Sequence, residues 1–208
     1  MHPNPTFRRT ELARSLDLVR ARSFGTLAVS AEGAPLLSHV PFLLSEDASY
    51  ADLHLVRSNP ICRAARDGLP ARLAVNGADG YVSPDWYGDP GQVPTWNYVA
   101  VHLTGTLEPL PHAQIDPLLA EQSAAFEARL TPKTPWTMDK MDPEVRAKLQ
   151  RMILPFRLRI DEIDSTWKLS QNKTAEMRES AGEKLQSGFG MDLGTLATLM
   201  KDPPADEA

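Results

Sequence analysis

Apolar positions recur at two periods along this chain, and the switches between them mark its elements. Leu12, Leu16 and Val19, spaced by four and three, follow Thr10-Glu11 and predict a capped amphipathic helix ending near Arg22. Phe24 to Ser30 reads as a strand, Ala31 to Ala34 as a hairpin turn, and Pro35 to Leu44 as the returning strand. Pro41 has no backbone donor, which places it at an edge or a bulge. Asp52 to Arg57 alternates, with His54 facing away from Leu53 and Leu55. Asn59-Pro60 opens a short helix to about Asp67, stopped by Gly68. Ala71 to Val75 then predicts a short strand, and Gly77 to Gly80 a turn.

Thr95 to Leu107 has the clearest period of two. Val99, Val101, Leu103 and Leu107 face one way, and Tyr98, His102, Thr104 and Thr106 the other. A helix is expected over Pro111 to Leu130, and a Pro-rich connector over Thr131 to Trp136. Asp142-Pro143-Glu144 opens a further helix to about Met152, and Pro155 to Ile163 returns to strand. Thr174 to Leu185 and Leu193 to Lys201 predict a helical tail, closing in a frayed acidic end over Asp202 to Ala208. Short strands joined mostly by turns, with helices outside them, argue an α+β, mainly β fold built on an antiparallel barrel. A doubly wound sheet is disfavoured, because the early strands lack helical crossovers. The expected division is a barrel domain over residues 1–172 and a helical C-terminal extension over 173–208.

Composition narrows the partners. At 208 residues, 42% hydrophobic and 24% charged, the chain has the balance of a soluble globular domain. No apolar run approaches the length of a membrane span, and Met1 to Arg9 lacks the apolar core of a signal peptide. A single cysteine, Cys62, excludes an internal disulfide and fits a reducing cytoplasm. The net charge of −5 opposes sequence-independent DNA binding. Lys173 to Lys184 carries three cations (Lys173, Arg178, Lys184) against three glutamates, the mark of a mixed solvated helix and not of a groove reader. The histidines are scattered, with no helical pair of zinc-motif spacing, so no metal site is expected. No Gly-x-Ser-x-Gly elbow, Gly-x-Gly-x-x-Gly or Walker loop is present.

Tyr81 to Tyr98 concentrates the chain's costliest residues. It holds two of four tryptophans and three of four tyrosines, joined by three prolines and two glycines. Proline and glycine exclude a helix, and so many rings disfavour a disordered linker. Two readings stay open: an ordered loop that offers aromatic faces to a flat ligand, or an aromatic minicore. Elsewhere Arg57, Ser58 and the cap Asn59 converge where a strand ends and a helix begins, with Arg63 or Arg66 one turn on. That arrangement can hold a phosphate, or it can be a plain cap with solvated arginines.

Tyr81-Val-Ser-Pro-Asp-Trp-Tyr87, Val93-Pro-Thr-Trp-Asn-Tyr98 and Trp167-Lys-Leu-Ser-Gln-Asn172 resemble the PaiB family of FMN-binding negative transcriptional regulators. His54-Leu-Val-Arg-Ser-Asn-Pro60 and Ser38-His39-Val40-Pro41 look like its other landmarks, in the same order, so the likeness spans about residues 1 to 200. The loop Gly88 to Gln92 looks shorter than the family pattern. The resemblance implies a split β-barrel of the flavin-reductase and pyridoxamine-phosphate-oxidase type, dimeric, with FMN in grooves between two copies. It implies that Arg57, Ser58 and Asn59 hold the phosphate, with Arg63 in reserve. Ser38, His39 and Val40 would line the ring, with Thr95, Trp96, Asn97 and Tyr98 adding stacking and amide contacts. Lys168, Ser170, Gln171 and Asn172 would reach the flavin's polar edge.

Three functions follow as alternatives. The first is an FMN-dependent oxidoreductase or flavin-binding protein, for which no residue stands out as an acid or base; His39, His54 and His102 are the only candidates that titrate near neutrality. The second is a transcriptional regulator, with the flavin sensory or structural. The third is a haem-binding relative of the same barrel, although no histidine is singled out as an axial ligand.

Overall fold

The structure, a computed structural model, describes residues 1–206. Local signals explain most element boundaries. α1 spans Leu12–Arg22, followed by β1 (Phe24–Val29), β2 (Leu36–Leu44) and β3 (Tyr50–Val56). α2 (Pro60–Ala64) starts where the sequence expects it, with Asn59 Oδ1 accepting from the Ile61 N–H at 3.0 Å and Pro60 at the first position. β4 (Leu69–Val82) and β5 (Thr95–Pro109) flank the aromatic stretch. α3 (Ile115–Glu127) and α4 (Pro143–Gln150) precede β6 (Ile153–Lys168). Asp142 caps α4 through the Glu144 and Val145 N–H groups. α5 (Ala175–Leu185), a two-residue β7 (Gly190–Met191) and α6 (Leu193–Lys201) complete the chain.

The strands lie in the order β1-β2-β3-β6-β5-β4-β7, and a further β1–β4 pairing closes the first six into an antiparallel barrel. That is the barrel the strand pattern predicts. Pro41 fits because it stands at a change of partner: β2 pairs with β1 up to Pro41, opposite Phe24, and with β3 from Phe42, opposite Leu53. The missing donor therefore falls where the ladder changes hands.

Two compact units are present. One comprises residues 23–73 and 103–162. Its interior collects Leu27, Phe42, Leu53, Leu55, Leu103, Leu107, Phe156 and Leu158, the inward positions of alternating strands. Within it β5 and β6 approach so closely at Gly105 that an added Cβ would lie 1.8 Å from the Arg159 carbonyl oxygen. Arg157 makes two hydrogen bonds to Asp52, at 2.7 and 2.8 Å, and its guanidinium stacks 3.6 Å above the Tyr50 ring.

The other unit comprises residues 1–22, 74–102 and 163–208. Its core packs Val82, Tyr87, Val99, Trp167 and Leu169 against the inner faces of α5 and α6, at Ala181, Leu185, Leu196 and Met200. Trp167 is buried, and its indole N–H donates to Ser15 Oγ of α1 at 3.0 Å.

Several boundaries differ from expectation. β4 runs unbroken through Gly77–Gly80, where the sequence predicts a turn. The glycines are there for space: a Cβ on Gly77 would lie 3.0 Å from Val99 Cβ, and one on Gly80 2.9 Å from Leu193 Cδ2. β6 extends five residues past Ile163, to Lys168. α3 is shorter than Pro111–Leu130, its ends taken up by a 3-10 turn and by bends. The predicted frayed end is fixed as far as Asp206, which bridges to Thr10; its last two positions lie outside the described residues.

Candidate functional site

In the unit that contains α5 and α6, the end of β6, the start of β5 and the loop before β5 surround a cavity of about 210 Å³. Strand alternation puts Thr95 and Asn97 on one face of β5. Lys168, the last residue of β6, donates its ammonium to Thr95 Oγ1. Ser170 follows in the left-handed region at φ +63°, which turns its hydroxyl inward. There it receives Asn97 Nδ2 at 2.9 Å and lies 2.7 Å from the Tyr87 hydroxyl. Asn97 is fully buried, and its Oδ1 has no hydrogen-bond partner. Asn172 and Lys173 stand on the same cavity wall. Lys173 donates to Gln92 Oε1, and its ammonium lies 5.9 Å from the centre of the Tyr87 ring.

Burial shifts two of these groups. It pushes the Tyr87 hydroxyl above its ordinary pKa, with hydrogen bonds from Ser170 and Asn97 pulling the other way, so the phenol is neutral. It pulls the Lys168 ammonium below the ordinary lysine value.

The sequence-predicted residues divide into groups. Thr95, Asn97, Lys168, Ser170 and Asn172 are brought to one cavity. Gln171 serves its own turn: its Oε1 accepts from Leu169 N at 2.8 Å and its Nε2 donates to the Trp167 carbonyl. Trp96 and Tyr98 alternate onto the opposite face of β5. Trp96 meets Tyr81 and Phe189 edge-on, at 6.4 and 5.5 Å between ring centres, while Tyr81 and Phe189 stack at 5.2 Å. Within the aromatic stretch Tyr87 belongs to a buried core, while Trp96 is 44% exposed and lies on the face of β5 opposite Thr95 and Asn97.

In the unit built from residues 23–73 and 103–162, two of the separate landmarks meet: Asn59 Nδ2 donates to Ser38 Oγ at 3.1 Å. His39 is exposed and pairs with Thr26 Oγ1 at 3.0 Å across the β1–β2 ladder. Val40 is buried, so it can offer a ligand only its backbone. Arg57 is exposed, with its Nε donating to the Arg151 carbonyl at 2.9 Å, and Ser58 and Arg63 are exposed nearby in the chain. His54 is pulled below its ordinary pKa by burial. Among the described residues no three His, Cys, Asp or Glu side chains gather to hold a metal ion, and no helix is long and apolar enough to cross a membrane.

Sequence reasoning misses Tyr87, Gln92 and Lys173 as cavity residues. Lys173 reads as part of a solvated helix, but that helix starts at Ala175 behind the cap Thr174. The one available signal is that Lys173 directly follows the Trp167–Asn172 string.

Comparisons with known proteins agree with the barrel. The chain is 28% identical over 198 residues to "Protease synthase and sporulation protein PAI 2" of Bacillus subtilis, covering 94% of each. Its fold is similar to that of the FAD and heme binding protein from Mycobacterium smegmatis (TM-score 0.57, 19% identity, 89% of this chain and 82% of that one). It is also similar to the flavocytochrome Anf3 from Azotobacter vinelandii (TM-score 0.58, 14% identity, 100% of this chain and 80% of that one). The closed antiparallel barrel and these likenesses make the fold the split barrel that the motifs imply. Residues 1–162 match the family described as "Putative FMN-binding domain", which assigns FMN as the cofactor, and the chain belongs to that family.

Proposed function

We propose that the chain binds FMN as a homodimer and acts as an FMN-dependent oxidoreductase. One observation carries the reading: Thr95 and Asn97 from one segment and Lys168, Ser170 and Lys173 from another line a single cavity, and one of these residues carries a buried acceptor that is unpaired. A buried polar atom without a partner costs about 1–3 kcal/mol, and a ligand donor at Asn97 Oδ1 would relieve that cost. The pyrimidine edge of a flavin presents two carbonyl acceptors either side of one N–H donor. The residues lining the cavity include both kinds of group, an acceptor without a partner on Asn97 and the ammonium groups of Lys168 and Lys173. The residues present therefore fit the group.

FMN, when bound, supplies one- and two-electron redox chemistry. Lys168 would hold the flavin's polar edge, where its ammonium would favour added negative charge and so raise the reduction potential. Thr95 Oγ1 fixes the direction of that ammonium. Tyr87 orients Ser170, and Ser170 in turn holds the Asn97 amide with Oδ1 free for a donor. Arg57, with Ser58 and Arg63, is assigned the phosphate as a charge-assisted contact, while Asn59 holds Ser38 in place. At about 210 Å³ the cavity is smaller than the roughly 300 Å³ at which sites for drug-sized ligands begin. It therefore accounts for one edge of the cofactor, and we assign the remainder to the groove with a second copy. The Trp96–Tyr81–Phe189 group, in which Trp96 and Phe189 are exposed, suits that contact.

A second reading, a flavin-linked transcriptional regulator, is implied by the motif resemblance at Tyr81–Tyr87, Val93–Tyr98 and Trp167–Asn172 and opposed by the net charge of −5. The test is an absorption spectrum of the purified protein with cofactor release, followed by turnover assays with nicotinamide donors and a promoter-shift assay. Flavin bands with donor-dependent turnover support the first reading. A salt-sensitive, sequence-selective shift without turnover supports the second.

A further inference from the structure

Residues 110–153 do more than connect strands. In their unit, α3, the connector around Trp136, α4 and the start of β6 enclose a cavity of about 350 Å³ that shares no residue with the one lined by Lys168. Its lining includes Val56, Leu119, Trp136, Met138, Met141 and Leu149. We propose that this cavity is a binding site for an uncharged, apolar small molecule of one to three fused or linked rings, or an acyl chain of equivalent bulk.

Three features fix the class. The volume falls within the roughly 300–1,000 Å³ typical of small-molecule sites. Of the three polar residues on the wall, Ser123, Arg146 and Gln150, the two larger are engaged from outside it: Arg146 Nη2 and Gln150 Nε2 both donate to Asp116 Oδ1, the second at 2.7 Å, and the Gln150 carbonyl is paired with His112 Nε2 at 3.2 Å. A charged or strongly polar ligand would have to break that set, whereas an apolar one leaves it intact. Met138, Met141 and Met152 supply flexible, polarisable walls that adapt to differing shapes, and Trp136 supplies a flat face. The mouth carries Val56, Leu149 and Met152, each about half exposed, so an apolar guest covers surface that otherwise faces water. None of these features depends on the flavin assignment.

The test uses the full chain and the neutral probe N-phenyl-1-naphthylamine, whose emission rises in apolar surroundings. The expected result is saturable binding at one probe per chain, with energy transfer from tryptophan that falls in Trp136→Phe while binding persists. Leu149→Glu at the mouth should weaken binding at least tenfold. If that variant misfolds by circular dichroism, Ser123→Phe, which fills the cavity from α3, should abolish binding with an unchanged or raised Tm. Unsaturable uptake, or uptake indifferent to both variants, would overturn the proposal. So would self-association that excludes the probe and is abolished by Leu149→Glu, since the face would then belong to a second copy.

Discussion

The Lys168 ammonium donates to the Thr95 hydroxyl, joining the last residue of β6 to the first of β5 at the wall of the cavity that holds Asn97 and Ser170. If that ammonium faces the flavin edge, Lys168→Met should weaken FMN binding about tenfold, the ~1.4 kcal/mol scale of a charged hydrogen bond. It should also lower the potential of the bound flavin. Fluorescence titration and spectroelectrochemistry read the two effects; a variant with unaltered potential places the lysine elsewhere.

The same group gives stability a pH dependence of definite sign. Burial lowers its folded-state pKa below the ordinary 10.5, so the unfolded chain holds the proton more tightly. The penalty is fully present at neutral pH and is relieved as pH rises from the lowered value towards 10.5. FMN affinity should fall across that window as the charge is lost. Denaturation and binding measured from neutral to alkaline pH should show both trends in the parent protein and neither in Lys168→Met.

A second variant tests the proposed phosphate contact. Arg57→Ala should cost about 1.5–3 kcal/mol of FMN affinity, the scale of a charge-assisted contact to phosphate. Riboflavin, which lacks the phosphate, should bind both forms equally. Lys168→Met, by contrast, should weaken FMN and riboflavin alike. Equal loss of both ligands in Arg57→Ala would instead point to the hydrogen bond with the Arg151 carbonyl as its main role.

Gly105 is a packing prediction independent of function. A methyl group there would overlap the Arg159 carbonyl, 1.8 Å away, so β5 and β6 must part. Gly105→Ala should destabilise the chain by about 3 kcal/mol or more, at or above the usual cost of overpacking. Urea unfolding measures it, and a loss below 1 kcal/mol on the scale of surface changes would show that the two strands separate freely.

Much of this was legible in the sequence where chemistry is local. Asn59-Pro60 announces a helix start because cap and proline act on adjacent backbone, and the alternation of Val99, Val101 and Leu103 announces a strand with one buried face. Glycine was not legible in the same way. Gly77 and Gly80 look like turn residues, but they make room for Val99 and Leu193, and nothing local separates the two reasons. Site membership likewise depended on parity and on tertiary approach. Trp96 and Asn97 are neighbours in one motif yet lie on opposite faces, and Lys173 enters the cavity only because α5 begins two residues later. The Tyr87–Ser170–Asn97 chain joins residues up to 83 apart, which no spacing rule anticipates.

Equilibrium dialysis of the parent protein and Asn97→Ala against FMN tests the central claim most directly, because it asks whether the unpaired acceptor marks the cofactor site. The account predicts one FMN per chain for the parent protein, retained flavin bands after dialysis, and affinity at least tenfold weaker in the folded variant. A folded parent protein that takes up no FMN, or a variant that binds as tightly as the parent, would contradict it.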